Sequence, residues 1–235
     1  MLRTAIFFLY FWAFLIFSLF IYGFYKAIAI VFPLKKDFIL LKLVKWWAKN
    51  ILRIGGVRIK LSGSENIPKS RKVCFVSNHQ SNYDIGIVIS VIPVVVGFIA
   101  KVELKKYLPL RVWMDEIQCL FIDRKKPKTS LKKVKIRIDD INDGNALLIF
   151  PEGRRSKRKQ IQQFKTGSLQ MLAEKNIEIV PITIKNSYLR YENHKRITPG
   201  IVDVKIHQSI NPANFKDNTH VIQKIKETIT SGLED

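Results

Sequence analysis

The chain passes through three regimes of hydrophobic patterning, and each predicts different elements. Residues 5–25 carry no charge, and the apolar character resumes after Lys26 through 27–34. As a helix, the 21 uncharged residues would reach about 30 Å, the thickness of a bilayer's hydrocarbon core. A secretory signal would have a shorter apolar region and a small-residue cleavage site, and no such site is evident. The aromatic richness (Phe7, Phe8, Tyr10, Phe11, Trp12, Phe14, Phe17, Phe20) and the lack of a polar face argue against a buried core helix. Pro33 then breaks the run.

In the second regime, 36–53, Leu41, Val44, Trp47, Ala48 and Ile51 recur at helical spacing on one side, with Lys42, Lys45 and Lys49 on another. This amphipathic helix either packs on a folded domain or lies among lipid headgroups. The pattern also leaves open whether the pair is a transmembrane span plus a surface helix or a hairpin dipping into one leaflet.

The third regime begins after Gly55-Gly56. Short β-prone runs at 57–61, 72–77, 94–100, 120–122, 146–150, 177–184 and 201–206 alternate with helical patterns at 85–92, 127–142, 164–174 and 219–231, and 103–107 reads as a short helical or loop segment. Such alternation predicts an α/β fold, a central sheet flanked by helices. Two parts result: membrane-associated helices over 1–54 and an α/β domain over 55–235. There is no internal repeat and no GxGxxG or Walker pattern.

Charge sharpens this picture. Of a formal charge of +21, only Arg3 and Lys26 precede Pro33, so +19 of it lies after Leu34. Such a surface attracts polyanions: nucleic acid, anionic lipid headgroups or phosphate-bearing substrates. Residues 124–137 hold eight cations and no acid, an electrostatic surface with membrane adhesion as a secondary use. Lysines 26, 35 and 36 flank the apolar helix and predict that the domain stays on the cytoplasmic side. A membrane-tethered nucleic-acid binder is the rival reading, although no stacking platform or nucleic-acid motif is present. Cys74 and Cys119 lie in apolar runs without metal-ligand spacing and predict buried free thiols and no metal site.

Candidate chemistry lies in Asn78-His79-Gln80-Ser81-Asn82-Tyr83-Asp84, at the mouth of an element. An imidazole can take a proton from an alcohol near neutral pH, and a carboxylate on its other nitrogen fixes the tautomer. The five-residue offset makes a His79–Asp84 pair plausible. Ser81 is poorly aimed as a nucleophile, so the base would activate a substrate hydroxyl. The same residues also read as helix capping, Ser81 and Asp84 resembling a capping box. A second polar turn, Phe150-Pro151-Glu152-Gly153-Arg154-Arg155-Ser156, follows an apolar strand, and Arg155 is suited to a phosphate dianion, although paired surface arginines are commonly just solvated.

Together with Phe121-Ile122-Asp123-Arg124 and Val180-Pro181-Ile182, these blocks resemble, in order and spacing, the 1-acylglycerol-3-phosphate acyltransferase family. The resemblance covers about 56–187 and implies the glycerolipid acyltransferase fold behind a hydrophobic membrane anchor, in a bacterial inner membrane. It implies acyl transfer from acyl-CoA or acyl carrier protein to the sn-2 hydroxyl of lysophosphatidic acid, with no other cofactor and no nucleic-acid partner. His79 would be the general base and Asp84 its orienting carboxylate. Arg155, Arg124 and Lys101 would contact phosphate, Glu152 and Gly153 would form part of a glycerol-binding turn, and Val180, Pro181 and Ile182 would line an acyl pocket. Backbone amides near Asn78 or Gly153 are candidate oxyanion donors. The chain departs from the family in two places: Arg154 stands where threonine is usual, and Gln118 where a glycine precedes the second block. Arg154 keeps another lysophospholipid or a lipid-linked sugar open as acceptor.

Overall fold

A computed structural model describes residues 1–68, 72–141 and 146–234. Two helices open the chain, α1 (Leu2–Val31) and α2 (Lys36–Gly55). The domain follows as β1 (Val57–Ser62), β2 (Val73–Ser77), α3 (Tyr83–Val91), β3 (Val96–Lys101), α4 (Leu108–Glu116), β4 (Leu120–Ile122) and α5 (Pro127–Asp139). It continues with β5 (Ala146–Ile149), α6 (Gly167–Glu174), β6 (Glu178–Lys185), β7 (Gly200–Ile206) and α7 (Asn218–Glu234). The expected strands and helices are present within a few residues of their predicted bounds, and α4 is additional. The expected helix end at Asn142 falls outside the described residues.

One seven-stranded sheet has the order β1-β7-β6-β2-β5-β3-β4. Its pairings are parallel except β6 with β7. β2 and β5 are buried on both faces, so Val73–Val76 and Ala146–Ile149 read as unbroken apolar runs. Alternation splits their side chains: Phe75 and Leu148 join the core under α1–α4, whereas Cys74, Val76, Leu147 and Ile149 join the core under α5–α7. Cys74 and Cys119 are free and buried, and burial pushes the Cys119 thiol up to about 12.

The N-terminal helices share this core. α2 buries Leu40, Val44, Ala48, Ile51 and Leu52, so its apolar stripe is a packing face against the domain. α1 lies along the domain for most of its length. Its Thr4 hydroxyl accepts the Ile197 N–H (3.0 Å), Phe7 meets Tyr83, and Ser18 accepts from the Trp113 indole (2.9 Å). Tyr22, Tyr25 and Lys26 converge on Glu116 of α4 at 2.9, 3.3 and 2.8 Å. The opposite face exposes Leu9, Ile16, Phe17, Phe20 and Phe24, and α1 is long and apolar enough to cross a membrane. The boundary at 54/55 therefore separates elements that fold on one core.

Gln118 sits where a glycine was expected and takes the glycine conformation, with φ +58°. It ends α4 as a left-handed cap, its N–H donating to Asp115 O (3.0 Å) and the Cys119 N–H to Met114 O (2.8 Å). Opposite it, a Cβ on Gly97 would collide with the carbonyl oxygens of Gln118 and Ile117, so β3 and this turn touch through bare backbone. Because an L-residue in the left-handed region costs about 1 kcal/mol, Gln118→Gly should raise unfolding stability by that order in denaturant titrations.

Candidate active site

The C-terminal ends of β2, β5, β3 and β4, parallel neighbours in the sheet, deliver the polar turns to one edge. His79 follows β2, the Glu152 turn follows β5, Lys101 ends β3 and Arg124 follows β4. At about 4.8 Å per strand, His79 and the Glu152–Arg155 turn are immediate neighbours, and Lys101 and Arg124 lie successively farther along the edge. Lys101 pairs with Glu103 at 2.8 Å, and Arg124 is exposed.

His79 Nδ1 lies 2.8 Å from Asp84 Oδ2. The same carboxylate oxygen accepts the N–H groups of Gln80 (2.6 Å) and Ser81 (2.8 Å), while the Ser81 hydroxyl accepts the Tyr83 N–H (3.3 Å). The capping reading and the proton-transfer reading thus describe one object: a reach-back from the first turn of α3 that also grips the imidazole. Asp84 is wholly buried, and the His79 side chain keeps 15% exposure. With Nδ1 held against a carboxylate the proton resides there, and Nε2 presents a lone pair. The ring stacks on Phe150 at 4.1 Å, which fixes its plane.

The backbone of His79 is pinned from the neighbouring turn. Glu152 accepts its N–H (2.6 Å) and Ser156 donates to its carbonyl (2.7 Å). The other Glu152 oxygen takes the Gln162 N–H at 2.8 Å. Burial pushes the Glu152 carboxyl above its ordinary range, against the pull of those two amides. Glu152 was expected as part of a glycerol-binding turn; in the structure both its oxygens accept from backbone amides, so it holds that turn through its carboxylate. It is a clamp between the two turns. Gly153, at φ +69°, closes its turn through its N–H onto Phe150 O (2.9 Å). That amide, with those of His79, Gln80 and Ser81, is already engaged, which removes it as an oxyanion donor. Asn78 is likewise structural: its side chain exchanges two 2.8 Å hydrogen bonds with the Ile184 backbone.

Arg155 is partly exposed and donates through Nη1 to Glu192 at 2.6 Å. Arg154, the departure from the family pattern, is turned onto Gln162 Oε1 (2.9 Å). Lys165 lies over Gly153 as a further cation of the turn. Sequence reasoning missed Glu192, Gln162 and Lys165, which fall outside every recognisable block. Val180 and Ile182 are fully buried core residues of β6, and Pro181 sits where the outer edge of that strand passes from its β7 pairing to a bridge between Ile179 and Ile210. None of the three lines the apolar cavity of about 70 Å³ between α1, α2, α3 and α4, which is formed by Leu15, Leu43, Trp47, Ile89, Trp113, Met114 and neighbours. Among the described residues no cluster of three or more His, Cys, Asp or Glu side chains could hold a metal.

Residues 58–185 match the family model described as Acyltransferase. The "Probable 1-acyl-sn-glycerol-3-phosphate acyltransferase" of Mycoplasma pneumoniae is 34% identical over 194 residues, covering 76% of this chain and 72% of that protein. The 1-acyl-sn-glycerol-3-phosphate acyltransferase of Borreliella burgdorferi is 26% identical, covering 78% and 72%. Among solved structures, the 1-acyl-sn-glycerophosphate (LPA) acyltransferase PlsC from Thermotoga maritima is similar with a TM-score of 0.87 and 26% identity, over 99% of this chain and 95% of that one. With more than half its length inside the matched region and its α/β architecture shared with a solved relative, the chain belongs to the acyltransferase family.

Proposed function

We propose that this acyltransferase moves a fatty acyl group from a thioester, acyl-CoA or acyl carrier protein, to the sn-2 hydroxyl of 1-acyl-sn-glycerol 3-phosphate. The observation that carries this reading is the His79 Nδ1–Asp84 Oδ2 contact of 2.8 Å, which leaves Nε2 as a base beside a turn bearing Arg155. Nε2 takes the hydroxyl proton as the oxygen attacks the thioester carbon; the C–S bond then breaks, and the thiolate leaves with that proton. No acyl-enzyme is required. Arg155 holds the acceptor phosphate, with Lys101 and Arg124 extending the cationic edge, so that the hydroxyl is brought within reach of His79. Gly153 keeps the turn tight enough for this approach.

The relatives named 1-acyl-sn-glycerol-3-phosphate acyltransferase support the acceptor, and Arg154, exposed beside Arg155, is engaged by Gln162 Oε1. The cavity among α1–α4 is apolar and narrow and suits an acyl chain better than the filled core around Val180 and Ile182. The domain covers one face of α1 from Thr4 to Lys26, which supports a helix that dips into the cytoplasmic leaflet beside its domain rather than one that leaves it to cross the bilayer.

The reading is tested by acyl transfer with the detergent-purified protein, offering labelled thioester on either carrier and lysophosphatidic acid, lysophosphatidylcholine or lysophosphatidylglycerol. Product with the first acceptor is expected; product only with another would reassign the phosphate contacts. Arg155→Ala should lower kcat/KM for lysophosphatidic acid about 10- to 100-fold, mainly through KM, as the loss of charge-assisted bonds implies. Initial rates against acceptor concentration check this.

A further inference from the structure

Glu192 lies between the turn Ser187–Arg190 and β7, at the head of a stretch (Asn193-His194-Lys195-Arg196) whose other side chains are exposed. Its own carboxylate is 1% exposed. Burying a carboxylate is costly unless it is paired and hydrogen-bonded. Here Oε1 accepts from Arg155 Nη1 (2.6 Å) and from the Asn82 N–H at the start of α3 (3.3 Å), while Lys195 Nζ stands 4.0 Å from Oε2. One buried oxygen therefore joins the turn after β5, the turn carrying His79, and the β6–β7 connection.

Among the described residues the structure gives Nε and Nη2 of Arg155 no acceptor, and 30% of the side chain is exposed. A guanidinium offers donors along more than one edge, so one nitrogen can be spent on orientation while the others recognise an anion. Lys195 offsets the negative charge that Glu192 would otherwise set against an incoming phosphate.

We propose that Glu192 is a positioning residue for the acceptor. It fixes the guanidinium of Arg155 so that the unpaired edge meets the phosphate at a set distance from His79. The proposal rests on the assignment of Arg155 to the phosphate.

The test compares the full-length wild type with Glu192→Ala, Glu192→Gln, Arg155→Ala and the Glu192→Ala/Arg155→Ala double variant, using lysophosphatidic acid and monoacylglycerol of the same chain length. Glu192→Ala should lower kcat/KM for lysophosphatidic acid about 10- to 100-fold, chiefly through KM. Transfer to monoacylglycerol, which lacks the phosphate, should fall less than transfer to lysophosphatidic acid, and the double variant should be no worse than Arg155→Ala, because the two residues act as one unit. Glu192→Gln keeps the shape and an acceptor oxygen, so it should lose less; it also carries the test if the alanine variant fails to fold. Equal losses on both acceptors, losses that multiply in the double variant, or an unchanged KM in Glu192→Gln and Glu192→Ala would overturn the proposal. A wild type that ignores lysophosphatidic acid would instead sink the acceptor assignment itself.

Discussion

His79→Ala should lower acyl transfer by about 10³-fold while leaving the protein folded, the loss expected when a general base is removed from a site whose binding groups remain. Folding should survive because the main chain of residue 79, not its ring, carries the structural bonds to Glu152 and Ser156. What disappears is the Nε2 lone pair, the Nδ1 contact with Asp84 and the stack on Phe150; the stack is worth about 1 kcal/mol, and Asp84 Oδ2 keeps the Gln80 and Ser81 amides. Single-turnover rates with labelled thioester, beside circular dichroism and vesicle flotation, separate the two effects. Retention of more than a tenth of wild-type turnover would mean that another group removes the proton.

Asp84→Asn is expected to cost nearly as much by a different route. A carboxylate accepts the imidazole proton and two backbone amides through one oxygen, whereas an asparagine must choose which of its two unlike atoms faces them. If its oxygen stays with Gln80 and Ser81, the tautomer survives but the imidazolium formed during transfer loses its counter-charge. If its nitrogen turns toward His79, the proton is displaced to Nε2 and the base is lost. Either way turnover should fall by about 10²- to 10⁴-fold. Stability should fall by about 1.5–3 kcal/mol per weakened charge-assisted bond. A thermal-melt series beside the rate measurements checks both, and wild-type turnover would exclude Asp84 from the mechanism.

Why some of this was legible in the sequence and some was not follows from distance along the chain. The His79–Asp84 pair spans five residues, so local turn geometry nearly dictates it. Glu152 is visible as an acid in a turn, but its bond to a backbone amide 73 residues away depends on β2 and β5 being neighbours, which no local pattern encodes. Glu192 sits in a polar stretch that reads as solvated surface, and only tertiary packing buries it. The missed helix α4 has a different cause. Pro109 suggests a break, yet it occupies the first turn, where its absent N–H leaves no bond unmade. Gln118 departs from the family in residue type, yet it adopts the left-handed conformation that a glycine would take, at modest cost. The sheet, by contrast, was readable because β2 and β5, buried on both faces, are apolar in every residue but Ser77.

The grip of Glu116 on Tyr22, Tyr25 and Lys26, with the contacts of Thr4 and Phe7 farther along the same helix, makes α1 a rigid keel instead of a tether. A tethered domain would sample many heights and tilts above the bilayer; a keeled one has a single draught. On the proposed reading the acceptor then meets the site by lateral diffusion within the leaflet, so the search is two-dimensional and the variable that governs the rate is the mole fraction of lysolipid in the surface, not its amount in the bulk.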